Sequence, residues 1–127
     1  MFTAINLEDN SQKKLEGLIP ELLSTWEVQC HHVTLHMGEP FTEEEQLMSK
    51  DICVTIDAIA QDNKVCAVRV KEMTTEDGKT VTSHNKTPHV TLCVNRSGGG
   101  KPKHSNELRG WEAIPELKLS GRIRGNG

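Results

Sequence analysis

The chain repeats one four-residue word, His32-Val33-Thr34-Leu35 and His89-Val90-Thr91-Leu92. An imidazole and a hydroxyl two residues apart suit phosphate chemistry. A neutral His accepts a proton from water or a hydroxyl, and a protonated His gives one to a leaving oxygen. Both states are accessible because the unperturbed pKa is about 6.5. A Thr hydroxyl donates to a non-bridging phosphate oxygen as charge develops there. Two such pairs suffice to cleave a phosphodiester, and the chemistry calls for no metal or other cofactor. One His-x-Thr is a weak pattern, more often a surface or core histidine than a catalyst. Two copies sharing all four letters are a stronger signal.

Both words must be strands to present these groups. Val, Leu and Thr favour a pleated, half-buried surface, and neither word contains Gly or Pro. Alternation then sets His32 and Thr34 on one face against Val33 and Leu35, and His89 and Thr91 against Val90, Leu92 and Val94.

The length of 127 residues fits one domain, 1–127, with its own core. Aromatics are few (Phe2, Phe41, Trp26, Trp111, no Tyr), which argues against a base-stacking surface of the RRM type. A net charge of -3 argues against a sequence-independent coat for nucleic acid and leaves room for a local basic site. Cys30, Cys53, Cys66 and Cys93 form no C-x-x-C pair and sit in apolar runs, as buried free thiols do in a reducing compartment. No apolar run is long enough for a membrane span or signal peptide, so the expected location is cytoplasmic.

Along the chain, residues 3–7 read as an opening strand. Glu8 to Ser11 cap a helix running through Leu15, Leu18 and Ile19. Trp26 to Met37 carries the first word, closed by Gly38-Glu39-Pro40. Thr42-Glu43-Glu44-Glu45 is a short acidic helix start, its charge complementing the dipole. Ile52–Ala60 and Val65–Val70 form a hairpin, and Asp77-Gly78 marks another turn. Val81 to Asn95 carries the second word. Arg96 to Lys103 is a mobile basic loop, Ser105-Asn106 caps a short helix through Leu108 and Trp111, and Leu117–Ile123 is a final strand before a frayed Gly-rich tail. Short connections imply mostly antiparallel pairing in a mixed fold. The words lie about half a chain apart, which implies two lobes facing each other across a cleft.

Two His-x-Thr words in hydrophobic strands, so spaced, resemble the 2H phosphoesterase superfamily. Pro88-His89-Val90-Thr91-Leu92, Gly99-Gly100-Lys101-Pro102, Ser105-Asn106-Glu107-Leu108 and the closing Leu119-Ser120-Gly121-Arg122-Ile123 are most similar to its tRNA-ligase-type branch. The small format also fits phage-type members. The resemblance implies an α+β, bilobal fold in which two mostly antiparallel sheets form a V-shaped cleft with helices outside. It implies that His32 and His89 are the acid–base pair and that Thr34 and Thr91 bind the phosphate. The expected substrate is a 2′,3′-cyclic phosphate at an RNA end or a cyclic nucleotide. Neither a membrane nor an obligate protein partner is called for. Which His is base and which acid stays open.

Further candidates surround these four. His36 shares the strand face of His32 and Thr34, as either a third cleft residue or a partly exposed strand-end residue, while His31 lies on the opposite face. On the second strand the matching face carries Cys93 and Asn95, so the halves differ there. Gly98-Gly99-Gly100-Lys101 is not a P-loop, because Pro102 stands where a magnesium-binding Ser or Thr belongs. It reads as a flexible connection or as a rim bringing Arg96, Lys101 or Lys103 to substrate phosphates. A metal site on His32, His36 and His89 is disfavoured, because i and i+4 on a strand lie about 13 Å apart. The competing class is a module that binds a nucleotide without cleaving it, for which two intact imidazoles are superfluous.

Overall fold

The structure is a computed structural model that describes residues 1–127. Its seven strands are β1 (Phe2–Leu7), β2 (Glu27–Val28), β3 (His32–Met37), β4 (Ile52–Gln61), β5 (Val65–Thr75), β6 (His89–Val94) and β7 (Glu112–Asn126). All pairings are antiparallel, in the order β2-β6-β5-β4-β7-β1-β3. The expected pair of sheets is thus joined into one paired order, mostly strand with few helices and not closed into a barrel. The helices are α1 (Asp9–Glu16), α2 (Thr42–Glu45) and three short 3-10 turns. None is long and apolar enough to cross a membrane.

The first word is the edge strand β3 and the second is β6, one strand in from the opposite edge, yet the chain itself brings them together. After β2, Gln29 and Cys30 still donate their N–H groups to Leu92 and Thr91 of β6, at 2.8 and 2.9 Å. Two residues later His32 pairs with Asn6 on β1. The chain crosses from one edge of the bent sheet to the other at Cys30, whose φ of 62° is the one positive value outside glycine. The strand expected over Trp26 to Met37 is therefore broken by a left-handed residue into two strands serving different edges.

The aliphatic faces pack as alternation dictates. Val33, Leu35, Val90 and Leu92 are fully buried in one cluster with Ile5, Ile52, Val68 and Ile123. Each contributes about 1.5–3 kcal/mol by leaving water.

Three expectations at the C-terminal end change. Residues 96–107 are not a loose loop and an α-helix; they form 3-10 turns at Arg96–Gly98 and Pro102–Glu107. A Cβ on Gly100 would lie 2.3 Å from the Lys64 carbonyl oxygen, so that backbone is pressed against its neighbour. The Gly-rich tail is not frayed, because Gly125 and Asn126 pair with Thr3 and Phe2 as the end of β7. Gly121 permits this approach, since a Cβ there would lie 2.5 Å from the Asn6 carbonyl oxygen.

Candidate active site

One cleft of about 350 Å³ is lined by His32, Thr34, His89 and Thr91 together. β3 supplies the first pair and β6 the second. Gln29 and His31 stand at the crossover, Met37 and Asn85 on the β3 side, and Pro102, Lys103 and Asn106 on the β6 side.

His89 is 9% exposed, and its Nδ1 lies 2.9 Å from the Thr87 carbonyl oxygen. A carbonyl only accepts, so Nδ1 carries the hydrogen and the neutral ring keeps its lone pair on Nε2. Burial pushes the His89 pKa below its usual value, opposed by that backbone hydrogen bond. His32 makes no hydrogen bond through its ring; it packs against Phe2 with centroids 5.1 Å apart. Burial also lowers its pKa, and the neighbouring imidazoles of His31 and His89 add repulsion against its protonated form. The two catalytic candidates are thus close enough to feel each other's charge.

The threonines differ as well. Thr91 Oγ1 lies 2.8 Å from Ser105 Oγ, and Ser105 is 2% exposed. Thr34 makes no hydrogen bond through its hydroxyl and faces the cleft; its carbonyl accepts from Ser83 Oγ at 2.8 Å.

His36 does not reach the cleft. Thr34 pairs with Ala4 and His36 with Thr3, so Leu35 is an extra residue that reverses the faces beyond it. His36 turns inward, buried rather than partly exposed, and Met37 takes the cleft side. Its Nδ1 donates to the Met37 carbonyl at 2.9 Å and its Nε2 to Glu44 Oε1 at 2.6 Å. Nδ1 faces a carbonyl and Nε2 a carboxyl group, an arrangement that favours the protonated ring. Glu44 also accepts from Phe41 N at 2.7 Å, and the Phe41 and His36 rings stack at 3.9 Å. Although burial opposes it, the Glu44 hydrogen bond leads the partners that hold the His36 pKa above its usual value.

β6 repeats the device. Ala67 pairs with Thr91 and Cys66 with Cys93, leaving Leu92 as the extra residue. Cys93 is fully buried, as His36 is buried. The two halves match where the sequence pattern makes them differ.

Of the basic candidates, Lys103 lines the cleft and Lys101 and Arg96 do not. Arg96 is held by Glu27 at 3.1 Å on the surface. His31, expected on the far face, lines the cleft because the left-handed turn at Cys30 breaks the alternation before it. Ser105, a helix cap by its sequence, and the amides of Gln29, Asn85 and Asn106 carry no sequence signal for the cleft. Their places depend on segments folding back, which no local spacing encodes.

Residues 7–118 match the family model described as the fungal tRNA ligase phosphodiesterase domain. The chain belongs to this family. The branch to which the two words and the closing strand point is thereby met. The fold is also similar to a solved structure titled "Crystal Structure of Fungal RNA Kinase", with a TM-score of 0.60 and 12% identity over 96% of this chain. At that identity the likeness is one of fold alone. This chain spans 44% of that one. No curated relative matches.

Proposed function

We propose that the protein is a metal-independent phosphodiesterase that opens a 2′,3′-cyclic phosphate at an RNA end, with His32 and His89 as its acid–base pair. The observation that carries this reading is the meeting of both His-x-Thr pairs in one cleft. With Nδ1 tied to Thr87, His89 offers Nε2 as the base. Water loses a proton to Nε2 as its oxygen attacks phosphorus. The bond from phosphorus to one ribose oxygen breaks, and that oxygen takes a proton from His32. Thr34 and Thr91 donate to the non-bridging oxygens, and the substrate anion between the rings favours the protonated His32 that its free environment resists. The product is a phosphomonoester.

Lys103 on the rim offers a charge for a neighbouring phosphate, which favours an RNA end over a cyclic mononucleotide. The two ends of the sheet order act as the two lobes of the cleft. The free thiols of all four cysteines fit a reducing, cytoplasmic setting.

A substrate panel in EDTA tests the reading: an RNA with a 2′,3′-cyclic end, 2′,3′-cyclic mononucleotides and cyclic dinucleotides. Turnover of the RNA end, with weaker turnover of the mononucleotides, is expected. Tight binding with no turnover would replace the reading with a sequestering module on the same fold.

A further inference from the structure

We propose that Ser105 is a positioning residue that aims the Thr91 hydroxyl into the cleft. The proposal rests on the reading of Thr91 as a phosphate ligand. The two hydroxyl oxygens lie 2.8 Å apart, and geometry alone allows either to donate. Burial decides between them. Ser105 is 2% exposed, and its hydroxyl makes no other hydrogen bond. Were Thr91 the donor, the Ser105 proton would be left buried without an acceptor, forfeiting a hydrogen bond that nothing replaces. With Ser105 as donor, its proton is satisfied by Thr91 Oγ1. The Thr91 proton is then free, and Thr91 lines the cleft. Ser105 → Thr91 → anion is a chain of two hydroxyls, each polarising the next.

The scaffold holds Ser105 still. Its 3-10 turn begins at Pro102 and is tied at its start by Lys101 N donating to His104 Nδ1 at 3.0 Å. It ends at Leu108, which is buried against Ala60, Val65, Ala67 and Val94. Gly100, pressed against the Lys64 carbonyl, fixes the approach. Thr34 has no counterpart to Ser105, and the His32 ring has no counterpart to the Thr87 carbonyl. Both reacting groups of the second motif are therefore set before substrate arrives, whereas those of the first motif take their direction from it.

The test is a double-mutant cycle between Thr91→Ala and Ser105→Ala, with Ser105→Cys as a second variant that keeps a weak donor. Ser105→Ala is expected to lower kcat/KM on the cyclic substrate roughly fivefold to tenfold. In the Thr91→Ala background the same change is expected to cost less than about twofold. Ser105→Cys should fall between wild type and Ser105→Ala. Equal losses in both backgrounds would overturn the proposal, because a merely structural serine adds its cost whether or not Thr91 has a hydroxyl. Titration with inorganic phosphate, followed at the Thr91 amide by NMR, separates this claim from the enzymatic one. Weaker phosphate binding in Ser105→Ala supports the positioning role even if the wild type turns over no substrate. Unchanged binding there would contradict it.

Discussion

Leu35 and Leu92 are structural counterparts: each closes its His-x-Thr word, and each stands as the unpaired extra residue of a bulge. The bulges reverse the strand faces immediately after the two residues that matter. They end the cleft face of each word at its hydroxyl, and they send the next alternating residue, His36 or Cys93, into the interior. Bulges are common beside active sites because they re-aim side chains without ending a strand. Here the device is used twice, which extends the sequence repeat into geometry.

Leu35 is fully buried, so Leu35→Ala leaves a cavity behind the first motif. A loss of about 2–5 kcal/mol in urea unfolding is expected. A loss under about 1 kcal/mol would show that the bulge collapses readily and does not fix the strand.

His36 holds α2 and its leading segment against β3 through Glu44, away from the chemistry. His36→Gln is expected to lower stability by about 1–3 kcal/mol near pH 6 while leaving kcat unchanged. The sign with pH follows from the raised pKa. The charge-dependent contribution is complete below the unfolded value of about 6.5 and disappears as pH rises through the higher folded value. Denaturation of wild type and variant at pH 6 and pH 9 measures this, and the gap between them should narrow at pH 9.

The pH profile of kcat/KM reports the free enzyme. His32 and His89 are both lowered, chiefly by burial, so the optimum is expected on the acid side of pH 6.5, with activity falling towards pH 8. The kcat profile should sit at higher pH, because bound phosphate favours protonated His32. An optimum of kcat/KM above pH 8 would contradict the pairing of two lowered imidazoles.

Lys103 and Arg96 make a contrasting pair. Lys103→Ala is expected to raise KM for an RNA end roughly threefold to tenfold, the scale of a contact worth about 1 kcal/mol. Arg96→Ala should change KM less than about twofold, since its guanidinium is engaged by Glu27 outside the cleft. Steady-state kinetics on the same RNA substrate compares the two.

Much of the site is legible in the sequence because it depends on period-2 alternation. Val33, Leu35, Val90 and Leu92 go inward and His32, Thr34, His89 and Thr91 go to the cleft, as the words dictate. The β4–β5 hairpin and the short helices α1 and α2 follow from equally local signals. What alternation cannot register is an inserted residue, whose presence depends on the partner strand. For that reason alternation alone puts His36 on the strand face of Thr34, and it puts His31 on the far face because the left-handed Cys30 is not encoded by residue type. Ser105 reaches Thr91 from 14 residues away along the chain, through a turn set by Pro102 and Gly100. Glycines in the tail of β7 read as loop by residue type, whereas here Gly121 lets two backbones approach.

The most direct test of the two-imidazole cleft is single-turnover hydrolysis of a 2′,3′-cyclic-phosphate RNA in EDTA by wild type, His32→Ala, His89→Ala and His36→Ala. The two-imidazole cleft predicts losses of about 10²-fold to 10⁴-fold for each of the first two variants, and chemistry at the wild-type rate for folded His36→Ala. Full activity in either His32→Ala or His89→Ala would contradict it.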